Sequence, residues 1–268
     1  MFPYIDVNWW FQIYIFGLTI VACFFLFFWM FKKLGVRFGY EHSFVTNSIL
    51  WYFISTFFFS RLFYVISRWK DMQHIKSPFD FFIMSDYYFS LFWAIFWFLL
   101  VLMFNTRLFH KDIKPYLDWT VISLLFVSVL WYIWAFFGWQ VYWKITWYWI
   151  EIPYTNSASV VPLSGELFPL PIVYAILTFI LFSVLYILSM YVKVRGLLWY
   201  IGLWIFSAFV LLFDFYSWKI DIFKTAYNLN ISQLSAILLI FFVFWGLSKL
   251  LFKWKKQEST ILWKENDH

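Results

Sequence analysis

Apolar residues run through this chain in seven long blocks, separated by short stretches that hold most of the charge. The blocks are Trp10 to Met30, Phe44 to Ile66, Tyr88 to Asn105, Leu117 to Gly138, Ile172 to Val192, Leu197 to Tyr216 and Leu234 to Phe252. Each is close to the roughly 20 residues that a helix needs to cross a hydrocarbon core about 30 Å thick. The blocks are continuous, without the alternation of a membrane β-barrel, so helices are the spanning form they allow. The pattern predicts an all-α integral membrane protein with seven transmembrane helices. It is read as a single polytopic domain over residues 1–268, with no linker or internal repeat dividing it. Two longer polar and aromatic stretches interrupt the blocks, loops 67–87 and 139–171. The second holds Trp139, Trp143, Trp147 and Trp149, and four of the seven prolines lie between Pro153 and Pro171. Such a stretch suits either an aromatic belt at the headgroups or a re-entrant element.

Composition excludes a soluble domain. Apolar residues make up 64% and charged residues 13%, against about half and a quarter in soluble globular proteins. The basic residues are unevenly placed. Lys32, Lys33, Arg37, Arg107, Lys111, Lys114, Lys193, Arg195, Lys249, Lys253, Lys255, Lys256 and Lys264 follow odd-numbered blocks. Only Arg68, Lys70, Lys76, Lys144, Lys219 and Lys224 lie on the other side. The positive-inside bias then puts the N-terminus outside and the C-terminus in the cytoplasm. Anionic cytoplasmic lipid would also attract the tail lysines Lys253, Lys255 and Lys256. This topology accounts for the net charge of +6 without a nucleic-acid partner.

The first block is expected to remain as a span. It is too long for a signal-peptide core, has no basic stretch before it, and is followed by Lys32-Lys33. Cys23 is the single cysteine and falls mid-block, where an apolar filler is expected. No His/Cys grouping has metal-ligand spacing, and no metal or organic cofactor is expected. His42, His74, His110 and His268 fall in loops, at block edges or at the terminus, and are expected to have surface roles.

Ionisable residues inside spans are costly and mark sites by default. Two qualify here, Arg61 in the second block and Asp214 in the sixth. Both fall toward the outer ends of their blocks. They are expected either to face one polar cavity, as a pair, or to snorkel separately to the interface.

The order of several short motifs resembles that of the prolipoprotein diacylglyceryl transferases, seven-span enzymes of the bacterial cytoplasmic membrane. Phe2-Pro3-Tyr4-Ile5-Asp6 is similar to that family's opening Phe-Pro-x-Ile-Asp, and Ser60-Arg61-Leu62-Phe63-Tyr64-Val65 to its Gly-Gly-Arg-Leu-Gly-Tyr-Val. Ser77-Pro78 precedes the third block as a similar Pro-containing stretch does there, and Asp118 matches an Asp entering the fourth span. Phe136 to Tyr142 resembles Phe-Ile-Asn-Gly-Glu-Leu-Tyr, and Phe168-Pro169 stands where the family has His-Pro-Ser-Gln. Trp199-Tyr200-Ile201-Gly202, Phe213-Asp214-Phe215 and Ile231-Ser232-Gln233-Leu234 resemble Tyr-Leu-Ile-Gly, Glu-Phe-Phe and Met-Gly-Gln-Ile. The likeness runs over nearly the whole chain, and its collinearity carries it.

The resemblance implies transfer of the diacylglyceryl group of phosphatidylglycerol to the lipobox Cys thiol of a prolipoprotein, with release of glycerol phosphate. The implied partners are a phosphatidylglycerol-like membrane lipid and a prolipoprotein signal peptide. That chemistry needs cationic donors for the phosphate and an environment that favours thiolate. Arg61 is the implied phosphate-binding residue, with Tyr64, Tyr132, Gln140 and Gln233 as neutral donors around a polar cavity that also includes Asp214 and Ser90. The departures are pronounced. Ser90 stands in place of the family's His, Tyr132 in place of an Arg, Ala135 of an Asn, Gln140 of a Glu and Phe168 of a second His. Val210 and Ser217 replace two further Arg. Loss of one donor to a developing oxyanion costs about 3 to 4 kcal/mol, so these replacements together should disable the family mechanism. Two readings follow: a transferase with a rebuilt site, or a non-catalytic homologue that binds lipid or a signal sequence, or assists another membrane complex.

Overall fold

A computed structural model describes residues 4–8, 11–67, 91–137, 152–153, 166–167, 169–213 and 231–266. The chain begins with strands β1 (Tyr4–Asn8) and β2 (Phe11–Tyr14), paired antiparallel, followed by helices α1 (Ile15–Phe38), α2 (Ser43–Asn47), α3 (Ile49–Ser67), α4 (Leu91–Leu108) and α5 (Ile113–Phe137). Short strands β3 (Ile152–Pro153) and β4 (Glu166–Leu167) pair antiparallel, and helices α6 (Leu170–Leu188), α7 (Leu197–Phe213) and α8 (Ile231–Asn266) complete the described residues.

Each of the seven apolar blocks holds a helix. Among the described residues, four contain stretches long and apolar enough to cross a membrane: Gly17–Phe38, Ile113–Phe136, Leu170–Leu188 and Gln233–Leu250. The other apolar stretches, Ile49–Leu62, Trp93–Leu108 and Leu197–Phe213, are shorter. Large apolar side chains such as Phe179, Phe241, Phe244 and Trp245 stand exposed on these helices, a surface suited to hydrocarbon and unsuited to water. The chain is a helical membrane protein.

Several boundaries differ from those expected, and α1 and α8 run past the expected Met30 and Phe252 to Phe38 and Asn266. The first block was expected to be helical from Trp10, but Phe11–Tyr14 is strand and α1 starts at Ile15. The alternation Ile5-Asp6-Val7-Asn8 and Phe11-Gln12-Ile13 has period two, which suits a hairpin. The second block is broken at Ser48, which closes α2 by donating its hydroxyl to the Phe44 carbonyl (2.9 Å) before α3 begins.

Two helix ends share one device. At the end of α1, Gly39 takes φ 68°, Tyr40 N–H donates to the Gly35 carbonyl (3.1 Å) and Gly39 N–H to that of Val36 (3.3 Å). At the end of α4, His110 takes φ 52°, with Lys111 N–H on the Thr106 carbonyl (2.8 Å) and His110 N–H on that of Arg107 (3.1 Å). Both are Schellman caps. Glycine meets the left-handed requirement freely, and His110 meets it with a side chain in place.

The chain divides into two compact units, Met1–Tyr116 with Asn156–Ala158, and Leu117–Thr155 with Ser159–His268. The first has an aromatic core. Phe27 meets Phe98 edge-on (5.0 Å, 82°), Phe28 meets Tyr52 (5.5 Å, 61°), and Tyr52 meets Phe98 (5.0 Å). Edge-to-face arrangements place each positive ring edge on a negative face, so a core this rich in Phe can be closely packed. In the second unit α7 packs against α6 and α8. A Cβ at Gly202 would lie 2.7 Å from Val121 and 2.8 Å from Leu185, so only glycine lets α7 come this close to α5 and α6.

Candidate functional site

In the first unit the polar positions gather on α3. Tyr52, Thr56 and Ser60 follow one another at intervals of four and therefore share one helix face. Tyr52 and Ser60 are fully buried, and the Thr56 hydroxyl is buried with no hydrogen-bond partner among the described residues. Arg61 follows directly and is 5% exposed. The neighbouring helix α4 contributes Asn105, whose amide donates to the Tyr52 hydroxyl at 3.2 Å with both side chains buried. Further along the same pair, the rings of Phe59 and Trp97 stack at 3.9 Å and 15°. Arg61 is thus a buried charged residue within an apolar helix, the kind of position that marks a candidate site.

Elsewhere in this unit the loop after α1 is tied to the loop before α5. Glu41 and Lys111 form an ion pair at 2.8 Å, and the Tyr116 hydroxyl donates to the Glu41 carbonyl at 2.8 Å. The hydrogen bond from Lys111, with its charge, holds the Glu41 carboxyl below the usual carboxylate range.

In the second unit, the C-terminal ends of α5 and α7 and the N-terminal ends of α6 and α8 supply the other candidates. Tyr132 of α5 stacks on Tyr174 of α6, centroids 5.0 Å apart and planes 16° apart, and Phe213 of α7 meets Tyr174 at 6.2 Å. Leu170 closes the cluster from the first turn of α6. Gln233 of α8 is 1% exposed and donates its amide to the Leu211 carbonyl of α7 at 3.4 Å. This satisfies one of the carbonyls that the end of α7 leaves open.

Of the seven residues singled out from sequence, Arg61, Tyr132 and Gln233 are therefore placed. Tyr132 and Gln233 both join α7 near its C-terminal end, through Phe213 and Leu211. Tyr64 lies on α3, but its side chain is outside the described residues, and so are Ser90, Gln140 and Asp214 altogether. The expected pairing of Arg61 with Asp214 falls outside them as well. So do loop 67–87 and nearly all of loop 139–171, apart from β3, β4 and the residues from Pro169 on.

A buried carboxylate was read from sequence only as a motif match. Asp118 of α5 is 7% exposed and accepts from the backbone N–H groups of Gly196 (2.6 Å) and Trp199 (2.8 Å). These are the amides that a capping box would satisfy at the start of α7. The local Val194-Arg195-Gly196 has no side chain suited to the task, and the anion also favours the positive end of the helix dipole. The Tyr52–Asn105 pair was missed too. Its available signal was an amide side chain at the end of an apolar block.

No protein-family model matches the chain, and no curated protein matches it.

Proposed function

We propose that this chain binds an anionic phospholipid such as phosphatidylglycerol through Arg61 and does not transfer the lipid's diacylglyceryl group. In this reading it is a seven-span protein of the bacterial cytoplasmic membrane, N-terminus outside and C-terminus inside. It has the form of the prolipoprotein diacylglyceryl transferases without their catalytic set. The observation that carries the non-catalytic reading is the Tyr132 stack. Where the resemblance expects an Arg, a neutral ring lies flat on Tyr174 in a cluster closed by Leu170 and Phe213. Tyrosine can hydrogen-bond a phosphate but cannot neutralise it. Buried Arg61 is the charge suited to that task, because a guanidinium presents a fork of donors to a phosphate.

The test uses the purified full chain in nanodiscs of phosphatidylglycerol and phosphatidylcholine with a lipobox peptide, reading peptide mass and the lipids retained after extraction. The expected result is an unmodified peptide, with phosphatidylglycerol retained several-fold above its bulk share in the wild type and at its bulk share in Arg61→Ala. A diacylglyceryl adduct on the peptide would overturn the non-catalytic reading in favour of a transferase with a rebuilt site. Equal retention of the two lipids by the wild type would overturn lipid selection.

A further inference from the structure

Helix α8 is 36 residues long, about 54 Å of helix at 1.5 Å per residue, but its membrane-suited stretch is only Gln233–Leu250. The helix continues without interruption through 251–266, where Lys253, Lys255, Lys256 and Lys264 accompany Glu258 and Glu265. At about 100° per residue, Lys249, Lys253, Lys256 and Lys264 fall within an arc of about 80° on one face. Glu258 and Glu265 fall on the opposite face and Lys255 outside the arc. Trp245 and Trp263 border the basic face. At its head, Lys249 Nζ lies 3.7 Å from the centroid of the Trp245 ring one turn earlier, and both residues are exposed.

We propose that this face of α8 is a docking surface for the anionic headgroups of the leaflet in which the apolar stretch ends. Lys249, Lys253 and Lys256 are spread over about 10 Å of helix rise. They start where the apolar stretch stops, which matches the depth of a headgroup layer better than an extended protein partner. A Trp at the head of the stripe suits the same interface, since an indole ring sits at headgroup level. Helical spacing puts Glu258 and Glu265 on the opposite face of α8. This surface is separate from the Arg61 site, and either can fail without the other.

The test is photo-crosslinking of the full chain in phosphatidylcholine nanodiscs, doped with phosphatidylglycerol carrying a photoactivatable headgroup, with crosslinked residues mapped by mass spectrometry. Crosslinks are expected on α8 from Trp245 onward. In K249Q/K253Q/K256Q they should fall at least about tenfold, since each lysine near an anionic surface contributes about fivefold. They should change less than about twofold in Lys255→Gln and persist in K249R/K253R/K256R. Total lipid crosslinking of the chain outside α8 serves as the internal reference and should be unchanged throughout. The proposal is overturned by retention of the α8 crosslinks in the glutamine triple variant, by an equal loss in Lys255→Gln or in the arginine triple variant, or by equal labelling from a phosphatidylcholine probe.

Discussion

The two units use their buried polar groups differently. In the first, Tyr52 and Asn105 bond side chain to side chain, Thr56 keeps a buried hydroxyl without a partner among the described residues, and Arg61 brings a cation into an apolar helix. In the second, Asp118 and Gln233 serve the backbone at the two ends of α7, and Tyr132 is taken up by ring stacking. A polar group that completes a helix end stabilises the fold, because it satisfies amides or carbonyls that hydrocarbon cannot. Arg61 instead places a charge inside an apolar run, where a site is expected by default.

The largest expected effect tests the structural side. Asp118→Ala leaves the N–H groups of Gly196 and Trp199 without their acceptor and should destabilise the protein by about 3 to 6 kcal/mol, given about 1.5 to 3 for each hydrogen bond to a charged group. Thermal unfolding in mild detergent measures this, and Asp118→Asn, which keeps one acceptor oxygen, should lose roughly half as much. A small change in Asp118→Ala would remove the distinction between the units. On the proposed lipid-binding reading, Arg61→Leu should abolish selective retention of phosphatidylglycerol while destabilising the protein less than Asp118→Ala does. A destabilisation as large as that of Asp118→Ala would make Arg61 structural too.

The smallest effect concerns the Glu41–Lys111 pair. The folded-state pKa of Glu41 is lowered by Lys111, so its contribution is fully present above the ordinary glutamate range and is lost as pH falls through the lowered folded value. Both side chains are solvent-accessible, and screening keeps the contribution small. Unfolding temperature followed from neutral to acid pH should fall slightly less in Glu41→Gln than in the wild type. Added salt should narrow that difference; an undiminished difference at high salt would show that the pair is not a screened surface contact.

A helix in each of the seven blocks was legible because hydrophobic continuity is a local property, but the charged ends of α1 and α8, which run on to Phe38 and Asn266, were not, because a helix does not stop where its apolar stretch stops. The N-terminal hairpin was not foreseen, although its period-two alternation is written in residues 4–14, because the apolar run to which they were joined dominated the reading. Arg61 was legible as a site because a charge inside an apolar run has no local reason to be there. Tyr132 was legible only as a replacement in a motif. That its ring lies on Tyr174 depends on how α5 meets α6, a relation between residues 42 positions apart that no local spacing records.

By itself the sequence determined the membrane class and the helical form, since 20-residue apolar runs can satisfy their backbone in lipid only within themselves. The basic stripe of α8 needed both sequence and structure, since spacing sets the face of each charge but only the structure carries the helix past Phe252 to Asn266. The tertiary structure decided which polar residues serve the fold. Asp118 reaches amides 78 and 81 positions away, and a bond of that span exists only once the helices have packed.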